Sequence, residues 1–229
     1  LAIYPSLKDK LVFISGGSSG IGSEIVKAFA AQGSQVAFCG TRPDGGDALI
    51  DEITKAGHKA PYYEACDVRD IPALQAMLER VHGKFGAIQV LVNNAGRDDR
   101  HSLDELTPEY WDNCLNLNLR HQVFATQIVA RQLKNAKANG SIINMGSISW
   151  MRGRPNLIGY TTSKAAISGM TRSLARELGE FGIRVNALVP GAIVTERQTA
   201  LWRNPEEDKK FIELQCLKFR LDSTHVARP

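Results

Sequence analysis

Cysteine is scarce and scattered in this chain. Cys39, Cys66, Cys114 and Cys216 are the four in 229 residues, with no CxxC pair and no Cys/His ligand spacing. That argues against a disulfide framework and a zinc site, and it fits a reducing compartment. Charge of one sign is also lacking as a block, because the formal +4 is spread along the sequence. A nucleic-acid or membrane-binding surface is therefore a poor expectation. No apolar run approaches the length of a membrane span, and the opening "LAIYPSLKDK" lacks the apolar stretch of a signal peptide. Internal repeats, low-complexity tracts and interdomain linkers are missing too. These absences describe a soluble, cytoplasmic protein with no metal, nucleic-acid or membrane partner.

What is present is an alternation. The segment "KLVFISGGSSGIGSEIVKAFAAQGSQVAFCG" reads as an apolar strand, a glycine-rich turn, an amphipathic helix and a second strand, one βαβ unit. Further apolar strands, "AIQVLVNNAG", "GSIINMGS" and "GIRVNALVPG", each end in small or polar residues and are separated by helical patterns. Continuous apolar strands between helices predict a doubly wound parallel α/β sheet covered on both faces. With a hydrophobic fraction of 43%, the expectation is a single domain over residues 1–229.

In such sheets ligands bind beyond the carboxyl ends of the strands. "SGGSSGIG" places Gly16, Gly20 and Gly22 between the first strand and the first helix. There glycine permits a tight turn and close backbone approach to a pyrophosphate, which the helix N-terminus favours. Asp67, after "YYEAC", either accepts a hydrogen bond from an adenine amino group or caps the next helix. "NNAG", residues 93–96, ends another strand, where a plain turn is the alternative.

"YTTSK" sets Tyr160 and Lys164 one helical turn apart. Alone, that pair reads as surface decoration. Ser147, just past the strand "SIIN", changes the reading, because a hydroxyl, a phenol and an ammonium then share one sheet edge with the glycine-rich turn. A phenol with a reference pKa near ~10 is expected to be drawn down toward useful general-base strength by an adjacent ammonium.

Together "SGGSSGIG", "NNAG", Asn118, Ser147 and "YTTSK" resemble the short-chain dehydrogenase/reductase family, whose pattern runs in this order through nearly the whole chain. Ser147 precedes Tyr160 by thirteen positions, the family's usual spacing, and "VNALVPGAIVT" resembles its nicotinamide-side loop. The resemblance implies a Rossmann-type oxidoreductase and a homo-oligomer, often a tetramer. It makes Tyr160 the general acid/base. Lys164 lowers the pKa of Tyr160 and holds the nicotinamide ribose, Ser147 positions the reacting oxygen, and Asn118 supports a water-linked relay. The coenzyme residues it implies are Gly16, Ser18, Ser19, Gly20, Ile21, Gly22, Thr41, Arg42, Asp67, Val68, Asn94, Ala95, Gly96, Tyr160, Lys164, Pro190, Gly191, Ile193 and Thr195. One departure is that "THVARP" stops short of the family's last strand, so that either the chain is incomplete or the sheet lacks that C-terminal edge.

A closer resemblance, in "AIYPSLK", "DDRH", "NLRH", "GSISW", "MTRSLARELG" and "QCLK", is to bacterial aldose 1-dehydrogenases of the xylose, arabinose and fucose type. It implies oxidation of the anomeric hydroxyl of a cyclic sugar. Such a pocket needs oriented polar groups and an aromatic face, for which Asp98, Asp99, His101, Ser147, Ser149, Trp150, Asn156, Tyr160 and Gln198 are the candidates. The coenzyme is expected to be NADP, with NAD the alternative: "AFCGTRPD" carries Gly40, Thr41 and Arg42 where an NAD-specific strand carries an acid, although Asp44 follows closely. The competing readings are a ketone or 3-oxoacyl reductase of the same family and a dinucleotide-binding sensor without turnover.

Overall fold

The computed structural model describes residues 2–201 and 204–228. Its centre is a parallel sheet of β1 (Leu11–Ser15), β2 (Gln35–Gly40), β3 (Tyr62–Ala65), β4 (Val90–Asn93), β5 (Gly140–Met145) and β6 (Ile183–Leu188), in the order β3-β2-β1-β4-β5-β6. The order reverses between β1 and β4, which pair in register from Val12 with Val90 to Ile14 with Val92. A crevice opens at that reversal, beyond the strands' carboxyl ends.

β1 shows why the sheet is covered on both sides. Its side chains alternate between faces, as the period of a strand requires. Leu11 and Phe13 enter one apolar cluster, with Leu74, Met77 and Leu78 of α3 (Ile71–Phe85) and Ala125, Val129 and Leu133 of α5 (His121–Asn135). Val12 and Ile14 enter the other, with Ile25 and Val26 of α1 (Gly20–Ala31) and Leu49 and Ile53 of α2 (Asp47–Lys55).

Local signals set the helix starts. Asp70 caps α3 by accepting from the Ala73 amide at 3.0 Å, with Pro72 in the first turn. Asp67 is thus not the cap, one of the two roles its position allowed. Thr107 caps α4 (Pro108–Leu115) by accepting from the Tyr110 amide at 3.1 Å. Between α4 and α5 the helix widens into a π turn over Asn116–Arg120, which turns Asn118 inward. Such turns recur where a helix aims one side chain at a site.

After β6 come β7 (Ile193–Val194), α7 (Glu196–Leu201), α8 (Pro205–Glu213), β8 (Leu221–Asp222) and α9 (Thr224–Ala227), with β7 and β8 forming a small parallel ladder. This pairing is not evident in the sequence pattern. Among the described residues β6 borders the main sheet. No described helix is long and apolar enough to cross a membrane.

Phe13 is 1% exposed at the centre of its cluster. Phe13→Ala should cost about 3–5 kcal/mol, read from denaturant unfolding, whereas a loss below about 1 kcal/mol would contradict this packing.

Candidate active site

A cavity of about 540 Å³ lies over the β1–β4 reversal and runs from the glycine-rich turn past the loop after β4 to α6 (Ile158–Leu178). The turn is built by steric necessity. Gly16 and Gly20 have φ of 65° and 57°, and a Cβ on Gly22 would stand 2.0 Å from the Gly16 carbonyl oxygen. A methyl group on Gly16 would meet the Ala95 Cα at 2.9 Å. Ser19, in the cap position of α1, makes no side-chain bond to the first amides of the helix, so they are left for a ligand or solvent.

The loop after β4 is held on both sides. The buried Ser15 hydroxyl accepts from the Asn94 and Ala95 amides at 3.0 and 3.1 Å, and the Asn94 amide group donates to the Ser15 and Gly16 carbonyls. His121 Nε2 donates to the Ala95 carbonyl at 3.1 Å. Asn118 takes the Arg97 amide on Oδ1 at 2.8 Å, and its Nδ2 donates to the Arg97 and Cys114 carbonyls. Beneath lies a buried chain in which Asn93 donates to Asn144 at 2.9 Å and Asn144 to Thr171 at 3.0 Å. His121 has a structural role that strand-end position did not single out.

Lys164, 3% exposed, donates from Nζ to the Met145 carbonyl at the end of β5 at 2.7 Å. Burial pushes its pKa down to about 8. Burial likewise pushes the Tyr160 phenol up to about 12, opposed by its hydrogen bond with Ser147 and reinforced by Asp98 and Cys114. The expected lowering of Tyr160 by Lys164 is therefore corrected. Lys164 Nζ lies 5.6 Å from the centre of the Tyr160 ring, and burial rather than the lysine governs the phenol. His121, fully buried near the same ammonium, is pushed down to about 4 and stays neutral.

The cavity wall brings together Gly16, Ser18, Ser19, Gly20, Ile21, Gly22, Thr41, Asp67, Val68, Asn94, Ala95, Gly96, Pro190, Gly191, Ile193 and Thr195 on the coenzyme side. Asp98, Ser147, Ser149, Tyr160, Lys164 and Gln198 line it at the other end. Asn118 stands just behind the wall: a Cβ on Gly96 would lie 2.8 Å from its Oδ1 and 3.3 Å from Lys164 Nζ. The Asp67 carboxylate is engaged by Arg69, whose Nε donates to both oxygens at 3.0 Å.

Besides Asn118, five expected residues lie outside the wall: Arg42, Asp99, His101, Trp150 and Asn156. Arg42 is exposed, and its carbonyl accepts from the Tyr63 hydroxyl. His101 is buried edge-on against Tyr110, with ring centres 4.7 Å apart. Asn156 is exposed at a φ of 60°, and its carbonyl, rather than its amide, holds the His101 amide at 3.0 Å. Trp150 is 36% exposed. In their place the wall carries Arg97, Arg152, Arg154, Leu157, Arg197 and Phe211. Adjacency to Asp98 and Gln198 is a signal for Arg97 and Arg197; Phe211, in α8, carries none.

A dinucleotide fits this wall. The turn leaves no room for side chains where backbone must meet a pyrophosphate, and the helix behind it offers amide donors. At the far end the buried Ser149 hydroxyl has no protein partner. Among the described residues no three His, Cys, Asp or Glu side chains gather as metal ligands.

A doubly wound sheet with this turn, and with Ser147, Tyr160 and Lys164 at its edge, defines a dinucleotide-dependent dehydrogenase class. The short chain dehydrogenase family model matches residues 10–206, and the chain belongs to that family. It is 47% identical to a D-xylose 1-dehydrogenase of Caulobacter vibrioides, over 99% of this chain and 88% of that protein. To the probable galactose dehydrogenase GalD of Rhizobium meliloti it is 42% identical, with the same coverage of each. A crystal structure of a putative short-chain alcohol dehydrogenase from Sinorhizobium meliloti superposes with a TM-score of 0.90 at 27% identity, covering 96% of this chain and 86% of that one.

Gly22→Ala should weaken dinucleotide binding about tenfold or more, since overpacking costs roughly 1–3 kcal/mol. Fluorescence titration with reduced coenzyme measures it, and unchanged affinity would remove the turn from the binding site.

Proposed function

We propose that this short-chain dehydrogenase oxidises the C1 hydroxyl of a cyclic aldose, a pentose or 6-deoxyhexose, to the lactone. The observation that carries the reading is the furnishing of the wall beside Ser147 and Tyr160. Asp98, Ser149 and Gln198 supply a carboxylate, a hydroxyl without a protein partner and an amide, the groups ring hydroxyls need. A ketone or 3-oxoacyl reductase has less use for them. The names of the two sugar-dehydrogenase relatives support the same substrate class.

Ser147 Oγ, which accepts from the Ser149 amide at 3.2 Å, holds the anomeric oxygen. Tyr160 Oη takes the proton from that oxygen as general base. Lys164 supplies positive charge behind the phenol and a donor for the ribose, anchored by Met145. Asn118, its side chain fixed by Arg97 and Cys114, supports a water-linked relay to Lys164. A nicotinamide dinucleotide, when bound, supplies the ring that accepts the hydride, and its positive charge favours the Tyr160 phenolate.

The coenzyme in this reading is NADP. β2 ends at Gly40 without an acid, Thr41 lines the cavity, and the exposed Arg42 guanidinium is free to swing onto a 2′-phosphate at its mouth. The protein works in the cytoplasm as a homotetramer, a state that light scattering checks.

Tyr160→Phe keeps the ring and removes the ionisable hydroxyl, so turnover should fall by about 10² or more with coenzyme affinity retained. In the unaltered protein, the product from D-xylose or a related aldose should be a lactone that hydrolyses to the aldonic acid, and kcat/KM should favour NADP. A keto-sugar, or ketone reduction with no aldose turnover, would move the protein to the reductase class, and a strong NAD preference would make Arg42 a surface residue.

A further inference from the structure

Two residues outside the catalytic set join the two walls of the cavity. Asp99, in the loop after β4, accepts from Arg197 of α7 at 2.7 Å through Oδ1 and from Arg97 Nε at 2.5 Å through Oδ2. Its backbone carbonyl accepts from the Tyr110 hydroxyl at 3.1 Å, which ties the loop to α4. The neighbours of this ion pair, Asp98 on one side and Gln198 on the other, both line the cavity. Those two polar groups ride on segments that the Asp99–Arg197 pair fastens together.

We propose that Arg197, through Asp99, is a positioning residue for substrate specificity, which sets the spacing of Asp98 and Gln198 around the ring hydroxyls. This rests on the sugar reading above. With side chains 43% and 35% exposed, the pair adds little to global stability. Its effect is local, because α7 has only six residues and no buried residue of its own to fix its angle.

Electrostatics act in the same direction. Burial raises the pKa of Asp98, Asp99 raises it further, and Arg197 and Arg100 oppose the rise. Tyr160 of α6 faces the same carboxyl. Arg197 thus helps keep Asp98 ionised, an acceptor for a sugar hydroxyl. Removing the guanidinium raises the pKa of Asp98, so the loss of sugar affinity should deepen as pH falls.

The test is steady-state kinetics of Arg197→Gln, Asp99→Asn, the double variant and Arg197→Lys, with the preferred aldose across a pH series. Each charge-removing variant should raise the sugar KM about tenfold, the scale of a lost charged hydrogen bond. kcat should change far less and coenzyme KM should stay, and the KM defect of Arg197→Gln should grow toward low pH. The double variant should be no worse than either single one, because the two share one interaction. Arg197→Lys should recover part of the loss. An unchanged sugar KM in Arg197→Gln, a loss confined to kcat, or additive single losses would overturn the proposal while leaving the sugar reading intact. No aldose turnover by the unaltered protein would overturn both.

Discussion

The burial of one ammonium group organises this site. Lys164 has almost no access to water, yet its described bonding consists of one hydrogen bond to the Met145 carbonyl. A cation so placed is costly, and the protein tolerates it through a lowered pKa and a surround of polar groups held at fixed positions. Asn118 Oδ1 and Lys164 Nζ both converge on Gly96, where a side chain would collide with the first and crowd the second. The loop after β4 therefore has to be bare backbone at that point. His121 has to remain neutral beside the same charge, as its low pKa ensures.

From this constraint the rest of the site follows in layers. The Asn93, Asn144 and Thr171 chain satisfies polar groups beneath the loop, Ser15 and Asn94 lock the loop to the glycine-rich turn, and the turn takes the only shape its close contacts allow. The glycine-turn side of the cavity is therefore tightly bonded and made largely of backbone. The opposite wall is made of loops and short helices joined by side-chain pairs such as Asp99 with Arg197. One scaffold can keep its chemistry while that second wall changes.

The same division explains what was legible in the sequence. Strands β1, β4, β5 and β6 were readable as apolar runs ending in polar residues, and the glycine-rich turn, Ser147, Tyr160 and Lys164 fall on the carboxyl-end edge their positions implied. These features are local: each depends on a short stretch and its period. Asn118 was legible as a residue, but the π turn that aims it was not. The substrate wall was only partly legible. Asp98, Ser149 and Gln198 reach the cavity, whereas Trp150 and Asn156 lie on an exposed turn, and His101 packs under it against Tyr110. The Asp99–Arg197 pair spans 98 positions, a contact no local pattern encodes. The raised pKa of Tyr160 is hidden for a related reason: adjacency along a helix reveals a neighbouring charge, but not how much water the fold removes.

The claim that a buried lysine with a lowered pKa underlies the site can be measured directly. With lysine side chains isotopically labelled and Lys164 assigned by substitution, a heteronuclear NMR titration of the coenzyme-free protein should show Lys164 titrating at about 8, well below its ordinary 10.5. A midpoint at the ordinary lysine value would mean that the ammonium is solvated, and would contradict the account built on its burial.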